Sequence, residues 1–501
     1  MKKMNLLVMS LVSAAALSFT SCSSNDDLDN NKTGQEKVDG FYMTLSIQTP
    51  NASGTRTSVL KDTENATAGE AAIKTGTLYL VDKDNKIVFS ENLEDLTWSG
   101  AVTGKDGTTT QQDGNKTFEI KVPAVEAGQT YRVYFLAGSN KPAGGMDFAA
   151  TSNNFFTAAE NSFASPFAND NNFAMFNQND AQVNGNGYSV TFIQANNNLQ
   201  NPAKVTYTSA DGNTTKKDAA IKVERVVARI DAPSSTSAIS TDDPAGASEA
   251  LKVALKDARK KVASFELTNY AISNLANKSY VMQTWNPSAL VIPSDKEGFS
   301  YNQPKAAFGG DYDYKNGGFT TTATKVNYVF ENNSTENPTS MYFEYKVTLK
   351  DYSGADFNDN DGDNAGTFYR YNNVIYTSFA KIFEDYADVA DLFAKGMTAD
   401  KMKNELKSVI GNETELAAFR QKYNIEVFKG GKTYYKQVIK DKHIAGIIQR
   451  NSIYRLKVNN IFNVGAQVPN GKPTEEKEFY YLNVTVTVNP WVLNNQDVNL
   501  Q

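Results

Sequence analysis

Near each end of this chain lies a run in which apolar and polar residues alternate. At the start, Phe41, Met43, Leu45 and Ile47 are separated by Tyr42, Thr44 and Ser46. At the end, Leu482, Val484, Val486 and Val488 are separated by Asn483, Thr485 and Thr487. Successive side chains of a strand point to opposite faces, so a period of two puts four apolar groups on one side and commits each run to a half-buried strand. Similar runs lie at 76–81 and 86–89, turned at Asp84-Asn85, and at 116–122, 130–137, 264–272, 432–439 and 452–458. Pro490-Trp491 breaks the last alternation, and a short strand is expected from Val492 to Leu500. The segment 140–201, rich in Asn, Ala, Gly and Phe, reads as long loops with short strands. Abundant Asn, Thr, Tyr and Phe suit β-structure with many turns.

Helical periods are confined to the second half. Pro244 to Val262 forms a short amphipathic helix. From Ser378 to Lys395, Phe379, Ile382, Phe383, Tyr386, Val389 and Phe393 fall at helical spacing. A second helix starts at Thr398 or Asp400 and runs through Val409; a third is capped by Asn412 with Glu415 and ends near Tyr423. Together they predict a helical insertion at 378–423 within a β-rich region. Between the halves, Val223-Glu224-Arg225-Val226-Val227-Ala228-Arg229-Ile230 reads as one strand, buried on one side with Arg225 and Arg229 on the other. A domain boundary is placed just before it, near residue 220.

Counting residues removes most catalytic readings. The 501-residue chain has one histidine, His443, and one cysteine, Cys22. A Ser-His-Asp or Cys-His system would have to use His443, which lies in a polar stretch after Lys440-Asp441-Lys442 and reads as an exposed loop residue. A structural zinc site of Cys and His is excluded by count. The run Asp356–Asp363 resembles a calcium loop, but with Gly362 as the sixth position Phe357 and Phe368 occupy places that need oxygen ligands, so it reads as a solvated turn. Carboxylate-only glycan hydrolysis survives the counting, yet no facing pair of acids stands out. No enzyme activity and no cofactor is expected. With 50 Lys and Arg against 56 Asp and Glu, the chain lacks the basic excess of a nucleic-acid binder.

Residues 1–21 read as a removable secretion signal: Lys2 and Lys3 precede a small or apolar stretch from Leu6 to Ala16, shorter than the roughly 20 residues that span a bilayer. Small residues followed by Cys22 resemble the lipobox of bacterial lipoproteins, in which that cysteine is acylated. Ser23 to Gln35 is polar, carries Asp26, Asp27 and Asp29, and reads as a flexible tether. An acidic stretch there is similar to the surface-export signal of Bacteroidetes lipoproteins.

Taken in order, four segments resemble the Bacteroidetes fimbrillin family, most closely the major subunit of the short (minor) Porphyromonas-type fimbriae. They are the lipobox at Cys22, the strand Phe41–Ile47 followed by Arg56, the run Val223–Arg229, and the C-terminal pair Arg450-Asn451-Ser452-Ile453-Tyr454 and Val484–Trp491. The resemblance implies a mainly β fold of two tandem transthyretin-like β-sandwich domains. It divides the chain into a signal peptide (1–21), a lipidated propeptide with a removable first strand (22–56), an N-terminal domain (57–220), a C-terminal domain (221–478) with the helical insertion, and a donor-strand segment (479–501). It implies no catalytic or metal site. An arginine-specific protease would cut between Arg56 and Thr57, releasing the lipid on Cys22 together with Phe41, Met43, Leu45 and Ile47. A strand of another subunit, carrying Leu482, Val484, Val486, Val488 and Trp491, would fill the groove. The partners implied are other fimbrial subunits including copies of itself, the outer-membrane lipid of the precursor, and the protease. The expected place is the outer membrane and cell surface, then the fimbrium as a pilus stalk that supports adhesion. Two other readings stand beside it: an accessory or tip subunit, and a monomeric surface lipoprotein that binds glycans through aromatics such as Trp98 and Trp285.

Overall fold

The computed structural model describes residues 40–48, 68–94, 102–103, 109–111, 116–123, 125–149, 154–160, 162–170, 172–178, 187–209, 212–286, 289–302, 326–439, 448–469 and 482–490. Cys22, Arg56, Thr57, Trp98, His443, Trp491 and the strand expected at 492–500 lie outside them. The chain is mainly β.

The first lobe is a system of eleven hydrogen-bonded strands. They are β1 (Phe41–Gln48), β2 (Gly76–Val81), β3 (Ile87–Leu93), β4 (Lys116–Val122), β5 (Thr130–Ala137), β6 (Met175–Asn177), β7 (Tyr188–Thr191), β8 (Ala203–Lys204), β9 (Thr206–Thr208), β10 (Thr215–Lys217) and β11 (Ile221–Arg225). The expected hairpin forms: β2 pairs antiparallel with β3, and Asn85 takes φ 65° in the turn. The Asp82 carboxylate accepts there from the N–H groups of Asp84 and Lys86, the local bonding that favours Asp in turns. Strands β4 and β5 have the expected bounds but do not pair with each other. β5 lies between β2, β6 and β7, whereas β4 pairs with β1.

The second lobe begins with β12 (Ala228–Asp231) and continues through α1 (Glu249–Lys261), β13 (Val262–Ser273), β14 (Val326–Val329) and β15 (Ser340–Leu349). Then come β16 (Phe368–Tyr371), β17 (Val374–Tyr376), α2 (Phe379–Asp385), α3 (Ala399–Val409), α4 (Glu413–Tyr423), β18 (Glu426–Phe428), β19 (Lys432–Val438), β20 (Ser452–Ile461) and β21 (Leu482–Pro490). One sheet holds β14, β12, β20 and β21; another holds β13, β15 and β19. Both feed a single core: Ile230, Tyr454, Leu456 and Val484 from the first meet Phe265, Met341, Phe343, Tyr345 and Val347 from the second. The alternate residues Met341, Phe343, Tyr345 and Val347 of β15 are the period-two face of a β-sandwich.

Three readings are corrected, between the lobes, in the insertion and in the turn that precedes it. The run Val223–Ile230 is two strands, not one. β11 pairs with β6 of the first lobe, β12 with β14 and β20 of the second, and Val226-Val227 joins them. Arg225 is therefore fully buried between the lobes and Arg229 nearly so, instead of facing solvent. In the insertion, α3 and α4 form as expected: Thr398 caps α3 through Lys401 N–H, and the Asn412 side chain accepts from the N–H groups of Thr414 and Glu415. The helix expected through Lys395 stops at Asp385, because Asp391 and Phe393 take positive φ of 54° and 69°, which an α-helix cannot contain. The insertion has its own core, built from Phe379, Ile382, Leu392, Met402, Leu406 and Phe419 among others. Asp356 is buried, not solvated: it accepts from Tyr369 Oη and from Phe379 N–H.

Candidate assembly site

Three places answer to the residues that the sequence singled out: the first strand, the last strand, and the seam between the lobes. In β1, Phe41, Met43, Leu45 and Ile47 are all buried, with relative exposures of 4, 0, 0 and 0%. The strand lies inside its sheet. One edge pairs antiparallel with β4 along its length, from Phe41↔Val122 to Ile47↔Lys116. The other runs parallel to β8 at Met43 and Thr44 and to β11 at Ile47 and Gln48. The Phe41 ring lies 5.6 Å from that of Phe192, which in turn meets Tyr131. Burying four such side chains contributes about 6–12 kcal/mol before entropic costs. β1 carries no charged residue; its polar residues are Tyr42, Thr44, Ser46 and Gln48. The Thr44 hydroxyl is buried with no hydrogen-bond partner among the described residues.

The last strand, β21, pairs antiparallel with β20 of its own chain, from Ser452↔Pro490 to Ile461↔Leu482 with one register shift between Val458 and Asn460. Val484 is fully buried in the second core. Its far edge pairs with no described strand, so β21 is an edge strand, the kind that presents unused backbone groups. The opposite edge of β20 is held independently by β12 and by a short strand at Ser234–Ser235.

The seam brings together two of the sequence segments, Val223–Arg229 and Arg450–Tyr454, and adds residues that strand periodicity could not reveal. Arg225 donates from Nε to the Glu70 carbonyl at 2.9 Å and from Nη1 to Asn451 Oδ1 at 2.8 Å. Asn451 donates its N–H to the Val227 carbonyl while taking a positive φ of 56°. Burial lowers the Arg225 guanidinium to about 10, against the opposing pull of Glu70 and Tyr328, which still leaves it charged at neutral pH. Arg229 binds the Glu70 carboxylate at 2.8 Å and Asp231 at 2.5 Å, and Asp231 also holds Arg455 at 2.8 Å. Burial alone would weaken the charged form of Arg229, but Asp231 and Glu70 outweigh it and push its pKa up. Tyr328 donates to Glu70 at 3.2 Å, and burial followed by that carboxylate raises its hydroxyl. Arg450 is clamped by Glu331 at 2.8 Å and donates to the carbonyls of Tyr280 and Val281. Glu70, in a segment with no period, carries no sequence signal for this role.

Trp285 is 1% exposed, packs with Leu290 and donates to Gln283 Oε1, so it offers no sugar platform. Among the described residues no group of three or more His, Cys, Asp or Glu could hold a metal ion, and no helix is long and apolar enough to cross a membrane.

Residues 426–497, which span β18 to β21 and therefore the edge strand and its partner, match the family model described as "Major fimbrial subunit protein type IV, Fimbrillin, C-terminal". The C-terminal region of this chain is that of a fimbrillin. Among solved structures the chain is similar to a fimbrilin from Porphyromonas gingivalis W83, at 14% identity over 91% of this chain and 99% of that one, with a TM-score of 0.42. It is also similar to a fimbrial assembly protein from Parabacteroides distasonis ATCC 8503, at 12% identity over 62% of this chain and 85% of that one, with a TM-score of 0.27. At such scores these likenesses add no weight to the family match. No curated protein matches the chain. In fimbrillin terms, β21 is the last described strand of the matched region and β1 lies far outside it.

Proposed function

We propose that this chain is a stalk subunit of a surface fimbria that polymerises by strand exchange and supports adhesion. It travels as a precursor lipidated on Cys22 to the outer membrane. An arginine-specific protease cuts between Arg56 and Thr57, β1 leaves, and the groove between β4 and β11 takes up the C-terminal strand of another subunit. The observation that carries this reading is the position of β1: a strand near the N-terminus, with four apolar side chains buried and both edges paired, whose departure opens an apolar cleft lined by free backbone groups. Such a cleft is a template for strand addition. The fimbrillin region at 426–497 adds support. So does the edge position of β21, since β20 keeps β12 when β21 departs. Both β1 and β21 carry apolar residues at alternate positions, so either suits the same row of pockets.

The test is to treat the protein without residues 1–22 with an arginine-specific protease and to follow its N-terminus and size. A new N-terminus at Thr57 with a ladder of oligomers, abolished by deleting residues 479–501, is the expected result. Cleavage that leaves only monomers assigns the chain an accessory or capping place in the fibre. Resistance at Arg56 with a stable monomer overturns the reading.

A further inference from the structure

The two sides of the β1 groove are not equivalent. We propose that β1 holds β4 in the sheet, so that its departure leaves an acceptor with one fixed wall, β11, and one wall, β4, that re-forms only around an incoming strand. This rests on the reading that β1 leaves.

The asymmetry is first one of topology. β4 pairs with β1 over its whole length and with no other strand among the described residues. β11 also pairs with β6, from Met175↔Arg225 to Asn177↔Val223, and β6 is joined to β5. Removing β1 costs β11 one edge and leaves it the other. β8 loses its ladder too, but it runs directly into β9, which is held by β7 and β10. Among the described strands, β4 and the two-residue β8 are left with no strand beside them, and β4 alone has no paired strand directly continuing it.

Packing does not make up the difference. Ile120 and Val122 of β4 are 3% and 0% exposed, whereas Glu119 and Lys121 point to solvent. Ile120 lies opposite Met43, and Val122 opposite Phe41. Residues directly opposite in an antiparallel pair are close neighbours on one face, so part of the cover over Ile120 and Val122 is the strand that departs. Keeping a seven-residue strand extended costs backbone entropy at every position, and a strand without a ladder has little to set against it. The loosening has a direction. Beyond Val122 the chain is tied down: Val125 is buried, Glu126 N–H donates to Tyr131 Oη, and Gly128 N–H donates to the Phe192 carbonyl at 2.7 Å. β4 therefore frays from Lys116 towards a fixed point at its Val122 end.

The order of docking follows. An incoming strand meets β11 first, beside Ile221 and Lys222 where Ile47 and Gln48 had paired, and β4 then closes along its other edge. An unfilled acceptor consequently lacks a second rigid edge for unwanted pairing.

Hydrogen–deuterium exchange read by mass spectrometry decides this in three samples: the intact chain, the chain cut at Arg56, and an uncut Leu45→Lys variant in which β1 is displaced by a buried charge. Amides of 117–121 are expected to exchange about 100-fold faster in the last two, with the amide of Lys222, which donates to Tyr188 Oη on the side away from β1, unchanged. A synthetic peptide of residues 479–490 should restore protection at 117–121 in the cut protein. Amides of 41–48 report separately whether β1 has left. If they stay protected after the cut, strand release itself fails, and the uncut variant still decides the fate of β4. If β4 remains protected while β1 is lost or open, the proposal is overturned. Should amides of β5 also open in Leu45→Lys, the milder Ser46→Pro variant, which removes one backbone donor, replaces it.

Discussion

β1 and β12 occupy matching places in their lobes, yet they are fastened in opposite ways. Each runs antiparallel to one neighbour, β4 or β14, and parallel to another, β11 or β20. Beyond this shared ladder they part. β12 carries Arg229 and Asp231, which tie the buried Glu70 and Tyr328 and the partly exposed Arg455 into one group. β1 carries apolar side chains, hydroxyls and a terminal Gln, and no charged residue. On the proposed strand release, side-chain chemistry rather than topology marks the strand to be withdrawn. Apolar and backbone contacts can be handed over one for one to any strand of the same pattern. A buried charge, once its partner leaves, has nothing else to turn to.

The contrast is broken most severely at Arg229. Arg229→Ala strips a guanidinium from two carboxylates that are each 3% exposed, and should cost about 3–5 kcal/mol, read as a lower midpoint in urea. A loss below about 1 kcal/mol would mean that Asp231 and Glu70 are served by Arg455 and Tyr328 alone. Next comes Leu45→Ala in β1, which leaves a cavity at a fully buried position and should cost about 2–5 kcal/mol. The damage should stay in the first lobe, with exchange protection at 452–458 unaltered, and oligomers should appear faster after the cut. Equal loosening of both lobes would contradict the separation drawn here. The smallest effect is expected from Thr44→Val, which replaces a buried hydroxyl without a partner by an isosteric methyl. It should stabilise β1 by about 0.5–1.5 kcal/mol and slow strand release, measured by exchange at 41–48.

Much of this was legible from residue pattern, and the failures have physical reasons. β1 and β4 could be read because one face of each is buried, and burial on one face writes a period of two; β5, buried on both faces from Val133 to Ala137, could be read from its continuous apolar run. Their partners could not: β4 and β5 follow each other in sequence but pair elsewhere, and side-chain period carries no record of which strand lies alongside. The capped helices α3 and α4 were legible because Thr398 and Asn412 satisfy backbone N–H groups locally. The stretch after Asp385 misled because irregular chain delivers its aromatics to the same core that a helix would. Phe393 lies 5.8 Å from Phe383 and 5.9 Å from Tyr423 by ring centroid. The seam was hidden for another reason. Val226-Val227 continues the apolar alternation of the strands it separates, so the change of sheet leaves no mark, and Arg225 and Arg229 looked like the wet side of a single strand. The partner of both, Glu70, has no sequence pattern around it.

That two-residue crossing has a mechanical meaning. With Arg225 anchored to Asn451 and Glu70 on one side of Val226-Val227, and Arg229 anchored to Glu70 and Asp231 on the other, the connector has no slack. A pull on one lobe passes into the other through charged side chains held out of water, and bending at the seam must separate them before the backbone can swing. Resistance to a sideways drag thus resides inside the single chain, in contacts that are complete without any second copy.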